Sequence, residues 1–251
     1  MSKKQYVAGS YFALTDIGKV RLTNEDRVIT SVNIKGNVLM VVCDGMGGQN
    51  KGEYAAEIAT RVILNSFEQK QKFFSSYSAF RWVNEVVRKA NKEVFNESES
   101  NPSYQGMGST LTLVLIYHSH LISCQIGDSR AYILRNRQFE QITEDQTYVG
   151  YLYRTGRITR EEMKVHPKRH VLMNALGVFP TVNMDVKIRD YNNETVLVCS
   201  DGLYNNVEEE AIANILKGDD TTNQKVHQLI TLANVNGGSD NIAVALWEAQ
   251  K

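Results

Sequence analysis

The length of its apolar runs constrains this chain more than any other feature. Six of them, residues 38–43, 111–117, 121–126, 131–134, 195–199 and 242–247, are strand-sized and rich in Val, Ile, Leu and Tyr. Small and polar residues that favour turns, Gly, Asp, Asn and Ser, punctuate them. None approaches the roughly 20 apolar residues of a bilayer-spanning helix, so no membrane association is expected. Two runs flank His118-Ser119-His120 and predict an antiparallel hairpin with those residues at its polar tip rather than in a metal site.

Helical stripes lie between the runs. Ala55, Ile58, Ala59, Val62 and Ile63 repeat at the spacing of one helix face, as do Val83, Val86, Val87, Ala90 and Val94. Shorter stripes follow at Ala211, Ile212, Ile215 and Leu216, and at Val226, Leu229, Ile230 and Ala233. Thr159 with Glu162 three residues later fits a capping box. Paired helices, then a block of strands with a hairpin, then helices and strands again do not alternate as a doubly wound parallel sheet does. The order predicts an α+β fold with antiparallel sheets.

Composition narrows the class. At 251 residues, with 42% apolar and 22% charged, the chain is ordinary globular material for one large domain or at most two small ones. Lys+Arg 28 balances Asp+Glu 28, which disfavours a protein devoted to nucleic acid or to anionic membranes. Cys43, Cys124 and Cys199 are far apart inside apolar runs, the pattern of buried thiols in a reducing compartment. The apolar stretch near the start is broken by Gly9 and Ser10, so no targeting segment is expected and the chain reads as cytoplasmic. No coiled-coil seam is evident, and a monomer is expected.

Four aspartates carry the chemistry. Asp44 and Asp201 follow apolar runs and precede glycine and a helical segment; Asp128 ends a run; Asp240 opens the last one. Taken singly, each fits a turn dipeptide. Together, at strand ends of packed sheets, they could share one mouth. Two carboxylates about 4 Å apart repel by ~4 kcal/mol at an effective dielectric of 20, so such a cluster calls for a cation. Oxygen donors select hard ions such as Mg²⁺ or Mn²⁺. A second constellation, Asp16, Gly18, Arg21, Asn24, Glu25 and Asp26, sets a guanidinium just upstream of an acidic pair. It reads either as a surface ion pair or as a fork held for a phosphate.

The motifs T-D-I-G-x-x-R-x-x-N-E-D (15–26), V-C-D-G-M-G-G (42–48), M-G-S-T (107–110), I-G-D-S-R-A-Y (126–132), C-S-D-G-L (199–203) and G-G-S-D-N-I (237–242) occur in that order. The series resembles the metal-dependent serine/threonine phosphatases of the phosphatase 2C (PPM) family in their compact bacterial form. The resemblance implies a single catalytic domain over 1–251, built as a four-layer αββα sandwich of two antiparallel sheets flanked by helices. It implies two Mn²⁺ or Mg²⁺ ions, with Asp44 bridging both, the Gly45 carbonyl on the first, and Asp201 and Asp240 on the second. A third, weaker ion would use Asp128 and Asp201. Arg21 would hold the substrate phosphate, Glu25 and Asp26 would orient water, and Asn241 would support its ligand neighbour.

The implied reaction is hydrolysis of phosphoserine and phosphothreonine by a hydroxide bridging the two ions, on proteins modified by a cognate serine/threonine kinase in signalling. Residues 148–177 resemble the family's flap; their own pattern predicts two short helices broken at His166-Pro167, and that break argues against zinc on His166 and His170. Lys164, Lys168 and Arg169 either attract acidic phosphoproteins or form a solvated basic loop.

The chain departs from family patterns in four places. Met46 stands where animal members have His, Gln49 and Gln146 where many bacterial members have His, and Ala243 where Thr is frequent. Gln49 and Gln146 bear on pH dependence and substrate handling. Competing readings are a silent phosphoprotein-binding relative, which intact Asp44, Asp201, Asp240 and Arg21 oppose, and a two-metal phosphodiesterase, which the neutral charge opposes. A nucleotide loop at Gly45-Met46-Gly47-Gly48 fails because Asn50 stands where the third glycine of G-x-G-x-x-G belongs.

Overall fold

The computed structural model describes residues 8–47, 51–70 and 72–250. In chain order the elements are β1 (Gly9–Asp16), β2 (Asp26–Val32), β3 (Val38–Met46), α1 (Lys51–Gln69), α2 (Ser76–Ser100), β4 (Gly108–Ser109), β5 (Leu111–Tyr117), β6 (His120–Ile126), β7 (Arg130–Arg135) and β8 (Gln138–Gln141). There follow α3 (Tyr148–Arg154), α4 (Arg160–Val165), β9 (Asp185–Asp190), β10 (Thr195–Cys199), α5 (Asp201–Tyr204), α6 (Glu209–Lys217), α7 (Thr222–Val235) and β11 (Ile242–Ala249).

One sheet has the order β1-β11-β10-β7-β8 and the other β2-β3-β5-β6-β9, with β4 added beside the end of β3; every pairing is antiparallel. The central strands are apolar on both faces because both faces are buried. Along β3, Val38, Met40 and Val42 point between the sheets while Leu39, Val41 and Cys43 meet α1 and α2. Along β11, Ala243, Ala245 and Trp247 enter the space between the sheets while Ile242, Val244 and Leu246 pack under α6 and α7. Three apolar layers therefore hold four structural layers together, helices outermost, as the family resemblance implies. The hairpin at residues 118–119 and all the helical stripes lie where the periodicity puts them.

The apolar runs do not mark β1, β2, β8 and β9, and these four are the edge strands of the two sheets. An edge strand has one open flank and needs fewer apolar residues; charged ones such as the Lys187 and Arg189 of β9 also guard it against pairing with another chain. The 148–177 segment does hold two short helices, α3 and α4, but both precede His166-Pro167: residues 155–159 separate them, α4 ends at Val165 with His166 as its cap, and no helix follows Pro167 within the segment. Thr159 and Glu162 form the anticipated reciprocal cap, Thr159 N donating to Glu162 Oε2 at 2.7 Å.

Candidate metal and phosphate site

The strand registers bring the acidic residues to one end of the sandwich. Asp26 opens β2 directly across from Asp44 in β3, Asp16 ends β1 across from the start of β11, and Cys199 pairs with both Arg130 and Val244. Hydrogen bonds then tie the sheets together there. Ser200 Oγ donates to Asp26 Oδ2 at 2.6 Å, and Thr110 Oγ1 and Ser129 Oγ share a bond of 2.8 Å.

Asp44 is not in a turn. β3 continues through it to Met46 because β4 pairs with Gly45 and Met46. Its N–H donates to Thr110 Oγ1 at 3.0 Å, and its carbonyl accepts from Thr110 N at 2.8 Å and Ser109 Oγ at 3.0 Å. The backbone is thus fixed and the carboxylate left to act. Nor is Asp201 in a turn: it is the first residue of α5. Gly202 beside it has no Cβ to strike the Asn241 carbonyl, so the chain carrying Asp240 and Asn241 lies directly against the start of α5.

Asn241 organises the N-terminal loop. Its Oδ1 accepts from Glu25 N, and its Nδ2 donates to the carbonyls of Ile17 and Thr23, each at 2.9 Å. That loop presents Arg21, whose Nη2 donates to Asp240 Oδ2 at 2.7 Å while half of the side chain stays exposed. Asp128 is buried, and its carbonyl accepts from Tyr204 Oη at 3.0 Å. Arg130 stacks on the Tyr204 ring at 3.6 Å and grips Asp145 with Nε and Nη2, the latter at 2.7 Å.

The electrostatics are those of charges held together against repulsion. Burial, then the neighbouring Asp201 and Asp240 charges, push the Asp26 carboxyl up to about 8; burial and Asp201 push Asp128 up to about 8; burial and Asp240 raise Asp201 to about 6. Asp44 rises well above the carboxylate range through burial and the charges of Asp26, Asp201, Asp128 and Asp240. Asp201 Oδ1 and Glu25 Oε1 are buried without a hydrogen-bond partner. Unpaired buried carboxylate oxygens are costly, and a divalent cation removes both the orphaned acceptor and the repulsion.

The all-oxygen donor set fits a hard cation. Among the described residues no three His, Cys, Asp or Glu side chains close a cage around one point. His166 does not take part, its Nδ1 accepting from Lys168 N at 3.0 Å. The thiols of Cys43 and Cys199 are fully buried and pushed far up by burial, which makes them packing groups rather than nucleophiles.

Arg21, Glu25, Asp26, Asp44, Gly45, Asp128, Asp201, Asp240 and Asn241 all gather at this end. Gly48, Gln49 and Asn50 lie outside the described residues. Sequence reasoning gave no role to Thr110, Ser129, Arg130 and Ser200, although they stand inside the quoted motifs, and missed Tyr204 and Asp145 altogether. A signal existed for the hydroxyls, since Ser or Thr abutting an apolar run must find a partner once buried.

A family profile for Protein phosphatase 2C matches residues 19–240. The chain is 37% identical over 235 residues to the serine/threonine phosphatase stp of Listeria monocytogenes, covering 93% of each. It is similar to a bacterial serine phosphatase crystal structure at 32% identity and TM-score 0.90, covering 96% of this chain and 98% of that one. A further similar structure, at 32% identity and TM-score 0.85 over 97% and 99% of the two chains, is the catalytic domain of serine threonine protein phosphatase PstP in complex with two manganese ions.

Proposed function

The chain belongs to the protein phosphatase 2C family and is a serine/threonine phosphatase, and from that premise we propose how its acidic end works. Asp44, Asp201, Asp240 and the Gly45 carbonyl hold two divalent ions, Mn²⁺ or Mg²⁺, and Asp128 with Asp201 offers a third, weaker position. The observation that carries this reading is the set of mutually repelling carboxylates, Asp26 and Asp128 buried and Asp44, Asp201 and Asp240 half-buried, with Asp201 Oδ1 left unpartnered. Bound there, the ions would supply Lewis acidity, activating water and neutralising phosphoryl oxygens during in-line displacement.

The chain's own residues do the rest. Arg21 exchanges the Asp240 carboxylate for the substrate phosphate, its planar fork suited to two oxygens at once. Asp26, fastened by the Ser200 hydroxyl, and Glu25, with one oxygen free, orient the attacking water. Asn241 holds the loop that carries Arg21 and Glu25 in register with Asp240.

Residues 148–177 act as a flap beside the site. In support, the His170 ring feels the Asp240 charge, which opposes the lowering by burial and by Arg169. Exposed Lys164, Lys168 and Arg169 attract acidic surfaces on phosphoproteins. The substrates are proteins phosphorylated by a cognate serine/threonine kinase, and the chain works as a cytoplasmic monomer. Three free buried cysteines suit that compartment, and no helix among the described residues is long and apolar enough to cross a membrane.

The test is turnover of a phosphothreonine peptide against its phosphotyrosine counterpart. Mn²⁺-dependent hydrolysis of the first, at least ~10-fold faster than the second and abolished by EDTA, is expected. Equal rates on both, or turnover that survives EDTA, would overturn the reading.

A further inference from the structure

Gln146 makes more contacts across the base of the 148–177 segment than a linker residue needs. Its Oε1 accepts from Gly127 N at 3.1 Å and from Asn174 Nδ2 at 2.6 Å, and its Nε2 donates to Gln125 O at 3.2 Å. Its backbone N–H donates to Gly127 O and its carbonyl accepts from Met173 N, each at 2.9 Å. Just beyond, Tyr148 N donates to Val171 O at 2.8 Å and Thr147 bridges Leu172. The two legs of the segment are therefore paired like a short ribbon, and the ribbon is fastened at Gln146 to the turn that precedes Asp128.

That turn has little freedom of its own. Gly127 has φ +87° and lies so close to Thr110 that a Cβ there would meet the Thr110 side chain at 2.7 Å. Thr110 in turn holds the Asp44 backbone. On its other side the turn is fixed through Tyr204 to Asp128 O, with Arg130 stacked on Tyr204 and gripping Asp145, the residue next to Gln146. A shift of the ribbon thus has a hydrogen-bonded route to Asp128.

We propose that Gln146 is a positioning residue, the joint through which the 148–177 segment and the Asp128 turn move as one body. A glutamine side chain suits this role, because an amide oxygen takes two donors while the amide nitrogen serves an acceptor. A neutral imidazole, with one acceptor and one donor, makes at most two of these three bonds. Coupling between the sites is reciprocal, so whatever fixes Asp128 also fixes the segment. The inference rests on the functional reading above, since a cation is what fixes Asp128.

Limited trypsin proteolysis tests it, because Arg154, Arg157, Arg160, Lys164, Lys168 and Arg169 are all exposed on the segment. The quantity read is the ratio of cleavage rates without and with saturating Mn²⁺. In the native chain Mn²⁺ should slow cleavage by about 5-fold or more, the lower range of typical couplings. Gln146→Ala and Asn174→Ala should each bring the ratio below about 2, and Gln146→His should fall between. Asn174→Ala leaves the bonds between Gln146 and Gly127 intact and removes only the side-chain bond from the segment to Gln146, so it loosens the joint on the segment side even if Gln146→Ala folds poorly.

A native ratio of one, or a Gln146→Ala ratio equal to the native one, overturns the coupling. Mn²⁺-dependent turnover of the phosphothreonine peptide in the same samples separates the two failures. Turnover retained with a ratio of one removes the coupling alone; turnover absent removes the functional reading and the coupling with it.

Discussion

The middle of the sandwich and its acidic end are built from the same strands under opposite rules. In the middle, β3, β5, β10 and β11 bury apolar side chains, and Trp247, 1% exposed, finds a partner even for its ring nitrogen in Tyr191 Oη at 2.8 Å. At the end, a few residues along the same strands, carboxylates lie buried or half-buried close to one another and are raised in pKa by burial first and by mutual repulsion second. The middle supplies the stability that the end spends. Local agreement with every folding preference marks structure, and concentrated disagreement marks function.

Asp44→Asn should separate the two regions most sharply. An amide is neutral without taking up a proton on folding, so the metal-free protein should melt higher than the native chain, while Mn²⁺-dependent turnover should fall by roughly 10³-fold or more. Calorimetry in EDTA and a peptide assay in Mn²⁺ measure both. A variant that melts lower in EDTA and keeps its turnover would erase the contrast.

Trp247→Ala tests the other side. Trp247 pairs with Tyr11 and Val196, five residues along β11 from Ile242 and hence about 17 Å from the acidic end. Truncating a buried tryptophan costs about 3–5 kcal/mol, so the melting temperature should drop by roughly 10 °C. Turnover per folded molecule at low temperature should stay within about twofold, because the strand ends are held by their own hydrogen bonds. A large loss of turnover in fully folded protein would show that the two regions are not independent.

Legibility in the sequence follows the same division. The central strands could be read because double burial leaves an unbroken apolar run; β1, β2, β8 and β9 could not, because an edge strand is half open to solvent. At the acidic end, Asp44 and Asp201 could be picked out as charges abutting apolar runs beside glycine. The clasp of Tyr204 on Asp128 could not, because it joins residues 76 apart across two elements and leaves no local pattern. Arg21 stood out in the sequence as either a surface ion pair or a phosphate fork, but its bond to Asp240, 219 residues away, emerges only from the fold. Gln146 could be seen as a departure from the family pattern; that it fastens two legs of a ribbon to a turn could not.

The smallest expected effect is on the pH dependence of stability, and its direction distinguishes this protein from one whose carboxylates are paired. Asp26 and Asp128 are raised to about 8 and Asp201 to about 6, whereas unfolded carboxylates titrate near 4. Between those limits the folded chain binds more protons than the unfolded one, so stability falls as pH rises from about 4 to 8. In EDTA the melting temperature should therefore decline by roughly 5 °C or more between pH 5 and pH 8. Mn²⁺ competes with those protons, so the stabilisation it adds should be larger at pH 8 than at pH 5. A metal-free melting temperature that climbs with pH over this window would mean that the acidic end is already neutralised by the chain itself, and that the strain assigned to it is not there.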